Sequence, residues 1–324
     1  MIRVLFAATG LVAGFIAPAP AAAGAAPFDQ SATTIDDVLA LGRPIVLAHN
    51  GGEDVHPSGT LFAFGESMKA GVDMLDLNVQ LTADGVLVVQ HDLDVARTTN
   101  GEGRVLEMTF QQLHALDNAY FFTTGCGVCA DEPAEAYLYR GIRTGEVAPP
   151  AGYTADDFAM PRLEDVLETF PDIPLSIEIK DNGDRARAIA DSLVAVLRDR
   201  DRLDSVVIAS FEDVIVEYVH ELAPEVDVTS LSTSVFHLLE GRPIHEFTRV
   251  VQPSARFEQR PVFTAESIAA DHDAGRVVWV WPNERIYENA EAYTALLAIG
   301  VDGINANDPD AAVAAVEAFV SGQA

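Results

Sequence analysis

Short runs rich in Val, Ile and Leu recur along the chain, separated by segments of helical pattern, and few folds accommodate that alternation. The runs are IVLAHN (45–50), MLDLNVQ (74–80), VLVVQHD (86–92), PLSIEIK (174–180), SVVIASF (205–211), VDVTSL (226–231), RVVWVW (276–281) and GINAN (303–307). Helical periodicity falls at 60–70, 109–116, 162–170, 184–199, 212–221, 264–273 and 287–299. Buried, β-branched strands alternating with helices predict parallel strands with crossover helices. Eight strands, most followed by a helix, predict an α/β fold, a closed (β/α)8 TIM barrel rather than an open doubly wound sheet. RVVQPS (249–254) is either a ninth strand or part of a loop. Between the third and fourth runs, residues 117–161 form a long, aromatic, Gly- and Pro-punctuated connection, read as an ordered cap insertion.

Residues 1–24 read as a cleaved signal peptide: Arg3, a short apolar run broken by Pro18 and Pro20, then small residues. Residues 25–324 then constitute one large domain, exported to a periplasmic or extracellular location without a stable membrane anchor. With 50 Asp and Glu against 20 Lys and Arg, the formal net charge is −30. Such a chain repels nucleic acid and anionic membranes, so an anionic substrate needs a local positive device, a metal or a placed lysine. The two cysteines form CGVC (126–129). In an exported chain this favours a local Cys126–Cys129 disulfide over a zinc or redox site.

The strands end on residues a packed core would not select: His49, Asp76 with Asn78, His91 with Asp92, Glu178 with Lys180, and Ser210. In a barrel every strand opens on one face, so these side chains converge. A lone strand-end histidine is more often structural; five adjacent strand ends carrying polar groups point to a site. Hard oxygen ligands suit Ca2+ or Mg2+, and two histidines suit opposed base and acid. That combination fits phosphoryl chemistry.

VLAHNGG, followed by DLNVQLTADGVLVVQHDLDVARTTNGEGRV, then resembles the start of a glycerophosphodiester phosphodiesterase domain. That family carries H-R-G on its first strand, E-x-D on its second, then T-x-D-G, V-x-x-H-D and R-T-T. PRLEDVLETFPDIPLSIEIK and GVDGINANDPD are similar to its later blocks, in order. The resemblance implies a (β/α)8 barrel releasing an alcohol and glycerol 3-phosphate from a glycerophosphodiester, or acting on a lysophospholipid as lysophospholipase D. It makes His49 and His91 the acid–base pair and puts Asp76, Asn78 and Glu178 at metal ligands. Asn50, Lys180 and Trp281 fall at substrate-binding positions. The metal is expected to be divalent, Ca2+ ahead of Mg2+.

Departures from the pattern also stand out. Asn50 replaces a phosphate-holding arginine, Asn78 an aspartate, and Asp76 a glutamate. HPSGT stands where P-E-N-T is expected, with Glu53, Asp54 and His56 as candidate replacements for the missing acid. These losses keep open a second reading, a catalytically weakened relative that binds phosphodiesters. A carbohydrate-active barrel with paired acids would leave both histidines without a role. RTTNGEG (97–103) reads largely as turn chemistry. Trp279 and Trp281 lie on one strand face, where core packing and pocket lining are equally served.

Overall fold

The computed structural model describes residues 31–322, and the expected signal segment, 1–24, lies outside the described residues. The main sheet comprises β1 (Ile45–Ala48), β2 (Met74–Leu81), β3 (Leu87–Val89), β4 (Leu175–Ile179), β5 (Val206–Ser210), β6 (Asp227–Ser230), β7 (Val250–Val251), β8 (Val277–Val280) and β9 (Gly303–Ala306). All but β3 run parallel, in the order β6–β5–β4–β2–β1–β9–β8–β7. The ends of that path, β6 and β7, lie side by side, giving a nearly closed eight-stranded barrel. Outside it stand α2 (Leu61–Ala70), α5 (Gly183–Asp199), α6 (Asp213–Leu222), α7 (Leu231–Glu240), α8 (Ala265–Asp273), α9 (Ala290–Ala298) and α10 (Pro309–Gly322), with the shorter α1 (Ile35–Leu39), α3 (Phe110–His114) and α4 (Leu163–Thr169).

Two strand assignments need correction. The 86–92 run is not a barrel strand: β3 pairs antiparallel with β2 through Val79↔Val89 and Leu81↔Leu87. The Thr82–Gly85 turn is far too short for a parallel crossover, which takes a dozen residues or more. The eighth parallel strand is instead β7, from the 249–254 run, bonded to β8 through Val250↔Val277. The VDVTSL run also changes character at its end, because α7 starts at Leu231 with Ser230 Oγ accepting from Thr233 N. Helices α1, α7 and α10 lie outside the helical segments read from periodicity.

Alternation along the strands sorts the barrel interior into layers. The lower layer holds Leu47, Met74, Val207, Val250 and Trp279, closed from below by Ile35 and Val38 of α1. Trp279 is therefore core. Gly303 makes room for it, since a Cβ there would lie 2.6 Å from Trp279 Cδ1. One strand repeat higher come Asp76, Glu178, Gln252, Trp281 and Asn305, and these line a cavity rather than filling it.

Segment 117–161 carries a small hairpin, Phe122–Thr123 with Gly127–Val128, spanned by a Cys126–Cys129 disulfide. Its Tyr139, Tyr153 and Phe158 stack around Phe62 of α2, at ring-centroid distances of 4.6–4.9 Å. The hairpin tip is held to the loop after β1: Gly125 N donates to Asp54 O at 2.7 Å. Arg285, in the loop after β8, pairs with Asp54 at 2.7 Å and donates to Cys126 O. No helix among the described residues is long and apolar enough to cross a membrane.

Candidate active site

The carboxyl ends of β1, β4, β8 and β9, Asp76 from within β2 and the loop after β3 converge on a cavity of ≈ 30 Å³ lined by His49, Asp76, His91, Glu178, Lys180 and Trp281, among others. Six expected site residues are thus brought together. His91, Glu178 and Lys180 also line a wider outer cleft of ≈ 260 Å³. Asn50 and Asn78 are not in the cavity lining; Asn78 Nδ2 donates to Asn50 Oδ1, so the two buried amides satisfy one another.

His49 follows β1 directly, where the chain turns sharply through three left-handed positions, Asn50 (φ 51°), Gly51 (φ 81°) and Gly52 (φ 82°). Asn tolerates that conformation, and the glycines are required: a Cβ on Gly52 would lie 2.7 Å from Pro309. The turn brings Glu53 back under the imidazole. Glu53 Oε2 accepts from Asn50 Nδ2 at 3.1 Å, and Oε1 lies 3.8 Å from His49 Nδ1. Of the three candidate replacements, Glu53 is therefore the one at the site. Asp54 is given to Arg285, and His56 Nδ1 is buried without a partner.

Asn307 Oδ1 accepts from His49 Nδ1 at 2.6 Å. Asn50, oriented by Glu53, presents its NH2 to Nε2 at 3.4 Å. These contacts assign the proton to Nδ1 and make Nε2 the acceptor, engaged only by the long contact from the Asn50 NH2. Trp281 stands 5.6 Å away, centroid to centroid. Burial works against an imidazolium at His49, but the carboxylates of Glu53 and Asp76 outweigh it and raise the pKa above the ordinary value. Burial likewise opposes ionisation of Glu53, and His49, Arg97 and His91 together hold its pKa below the usual range.

His91 is oriented differently. Its Nδ1 donates to Asp92 Oδ1 at 2.6 Å, and Arg97 grips the same carboxylate through Nε and, at 3.2 Å, through Nη2. Although burial favours the neutral acid, these partners hold Asp92 well below the usual carboxylate range. RTTNGEG is thus only partly turn chemistry, since Thr98 Oγ1 donates to Asn118 Oδ1 and Asn100 Oδ1 accepts from Asp117 N, both at 2.9 Å. Thr99 Oγ1 donates to Val95 O at 2.9 Å as a turn residue should, whereas Arg97 fixes the partner of His91.

Asp76 and Glu178 form the acidic floor. Burial raises both pKa values, against His49 at Asp76 and against Lys180 at Glu178. Lys180 Nζ lies 2.8 Å from Glu178 Oε1. The same cavity contains two buried acceptors without partners, Gln252 Oε1 and Asn305 Oδ1. Two under-compensated carboxylates beside orphaned amide oxygens fit a hard cation in kind. Among the described residues, no three His, Cys, Asp or Glu side chains form a group able to hold a metal, so such an ion would depend on amide oxygens. For Asn78 the available ligand atom would be Oδ1, since Nδ2 is committed to Asn50.

Glu53 was anticipated only as one of three candidate replacements, whereas Asn307, Gln252 and Asn305 were not among the expected site residues. Asn305 and Asn307 sit in the GINAN run, where polar side chains alternate with Ile304 and Ala306 in a closing strand. That period-two signal would have exposed them.

Residues 49–311 match the model of the glycerophosphoryl diester phosphodiesterase family. A glycerophosphodiester phosphodiesterase from Caldanaerobacter subterraneus subsp. tengcongensis is 27% identical over 280 residues, covering 83% of this chain and 96% of that protein. One from Bacillus altitudinis is 27% identical over 277 residues, covering 83% of this chain and 96% of that protein. The fold is shared with a putative glycerophosphoryl diester phosphodiesterase from Silicibacter pomeroyi, at a TM-score of 0.67 and 22% identity, covering 86% of this chain and 95% of that one. It is also shared with an Oleispira antarctica phosphodiesterase solved with the product sn-glycerol-3-phosphate, at a TM-score of 0.64 and 18% identity, covering 86% of this chain and 99% of that one. With these matches spanning the barrel and both site histidines, the chain belongs to the glycerophosphoryl diester phosphodiesterase family.

Proposed function

We propose that the chain hydrolyses glycerophosphodiesters to an alcohol and glycerol 3-phosphate, with His49 and His91 as the acid–base pair. The observation that carries this reading is the pair of imidazoles on one cavity, each with Nδ1 fixed by an acceptor: Asn307 for His49 and Asp92 for His91. His49 Nε2 takes a proton from the attacking water as its oxygen bonds to phosphorus. The bond from phosphorus to the alcohol oxygen breaks, and His91 gives that oxygen a proton. His91 is assigned to the leaving side because it alone of the two also lines the outer cleft. Its ring is oriented through Nδ1 by Asp92 Oδ1 as the proton is delivered.

Lys180 offers the positive charge that Asn50 cannot, and Trp281 limits the cavity beside His49. Asp76 and Glu178, with amide oxygens nearby, would hold a divalent ion, Ca2+ ahead of Mg2+ because calcium tolerates neutral oxygen ligands and loose geometry. When bound, that ion would neutralise charge developing on the phosphodiester oxygens. The signal-like pattern of residues 1–24 supports export, and the Cys126–Cys129 disulfide supports an oxidising compartment.

Hydrolysis of a glycerophosphodiester panel, with and without EDTA, tests the reading. His49→Ala and His91→Ala are each expected to lower turnover on the order of 10²–10⁴-fold. Near wild-type turnover in either variant would overturn that residue's role, and undiminished activity in EDTA would remove the metal.

A further inference from the structure

Asn307 lies just past β9 and meets three other residues through three different atoms. Its Oδ1 accepts from His49 Nδ1 at 2.6 Å, its O accepts from Asp54 N at 3.1 Å, and its N donates to Glu288 Oε2 at 3.1 Å. The first two contacts run to the chain that follows β1. Glu288 reaches Asn307 from elsewhere, the loop between β8 and α9. That loop holds its carboxyl still. Glu288 N donates to Arg285 O at 3.0 Å, and the next residue, Asn289, caps α9 by accepting from Ala292 N at 3.1 Å. Tyr293, fully buried in the first turn of α9, donates from Oη to the same Oε2 at 2.5 Å. Neither donor is a cation, so this carboxyl is not half of a salt bridge. What it supplies is reach to the backbone of Asn307.

We infer that Glu288 is a positioning residue for the hydrolysis: by fixing the backbone of Asn307 it aims the acceptor that orients His49 and keeps Nε2 facing the attacking water. This rests on the phosphodiesterase reading, and specifically on His49 taking the proton of that water.

Reach matters here more than charge. Of the carboxylates that act on His49, Glu53 and Asp76 outweigh Glu288. A misplacement of about 1 Å, even one caused far from the chemistry, can lower a rate on the order of 10²-fold. A displacement behind Asn307, passed on only in part to the imidazole, should therefore lower kcat on the order of ten-fold. Neither Asn307 nor Glu288 lines the cavity, so KM should barely respond.

Two substitutions separate reach from charge. Glu288→Gln keeps the reach and an acceptor oxygen but removes the charge, whereas Glu288→Asp keeps the charge and draws the carboxyl back by one methylene. Both are conservative, and cooperative thermal unfolding above the assay temperature checks that each variant folds. Steady-state kinetics with glycerophosphoglycerol and glycerophosphocholine, at saturating divalent metal, should put Glu288→Gln within about two-fold of wild type in kcat and Glu288→Asp about ten-fold below it. An Asn307→Ala background supplies a readout that a merely structural role would not move. Its backbone N–H remains for Glu288, but no side-chain acceptor is left to aim, so Glu288→Asp should lower kcat no further there. A loss that persists undiminished in that background would overturn the inference, as would wild-type kcat in Glu288→Asp or a larger loss in Glu288→Gln than in Glu288→Asp. Those three outcomes leave the phosphodiesterase reading standing, because the wild-type protein still turns over. No turnover of either diester by wild type would overturn the inference together with the reading on which it rests.

Discussion

Glu288 stands behind His49 rather than beside it. Its Oε2 accepts from Tyr293 Oη at 2.5 Å and from Asn307 N at 3.1 Å, and Asn307 in turn holds His49. Burial outweighs those two donors and pushes the Glu288 pKa up from 4.5 to about 7. A carboxyl with a raised folded-state pKa favours folding while neutral, so its contribution is complete below about pH 4.5 and lost as pH rises through about 7. Glu288→Gln, always neutral, escapes that loss. The difference in Tm between variant and wild type should therefore move in the variant's favour from pH 5 to pH 8. Calorimetry across that range checks it, and a pH-independent difference would mean Glu288 does not titrate there. Residues of this kind were illegible in the sequence. His49, His91, Glu178, Lys180 and Trp281 could be read because each lies at the end of an apolar run, and Asp76 because it interrupts one two residues before Asn78. Glu288 lies in a loop, and Glu53, one of three candidates in its loop, could be singled out only through the contacts set by the left-handed turn at Asn50–Gly52.

The barrel could be read from recurring apolar strands, but two elements went astray for a shared physical reason. A strand buried on both faces reads the same whether it pairs parallel or antiparallel. The three residues of β3 are all buried, and only the short Thr82–Gly85 turn betrayed an antiparallel hairpin. The two-residue β7 is too short to announce itself, although it supplies Gln252 to the site. The CGVC loop was legible as a bridge, and its role is local. Cys126–Cys129 closes a much shorter ring than the 15-residue loop for which ~3 kcal/mol is typical, so it should stabilise by less than that. A protein with both Cys126→Ser and Cys129→Ser should accordingly unfold at slightly lower denaturant concentration with an unchanged slope. Loss of the cooperative transition would instead show that the hairpin tip, through Asp54 and Arg285, organises the whole 117–161 segment.

At the scale of the whole molecule the dominant fact is a formal net charge of −30 around a site that must admit a phosphodiester. Lys180 and Arg97 give local relief, but Lys180 is shared with Glu178 and Arg97 with Asp92. Beyond the cavity an approaching anion therefore meets a repulsive field, the reverse of electrostatic steering. Such a field is long-ranged at low salt, with a Debye length of about 30 Å at 0.01 M, and shrinks to about 10 Å at 0.1 M. A diester with a net negative charge, such as glycerophosphoglycerol, should gain a few-fold, roughly, in kcat/KM over that rise in ionic strength. A zwitterion such as glycerophosphocholine carries no net charge and should show an almost flat profile under the same conditions, with divalent metal kept saturating. Kinetics of the two substrates across a salt series decide the matter. Parallel profiles would mean that the field of the whole protein does not reach the encounter, and that local groups at the mouth govern entry.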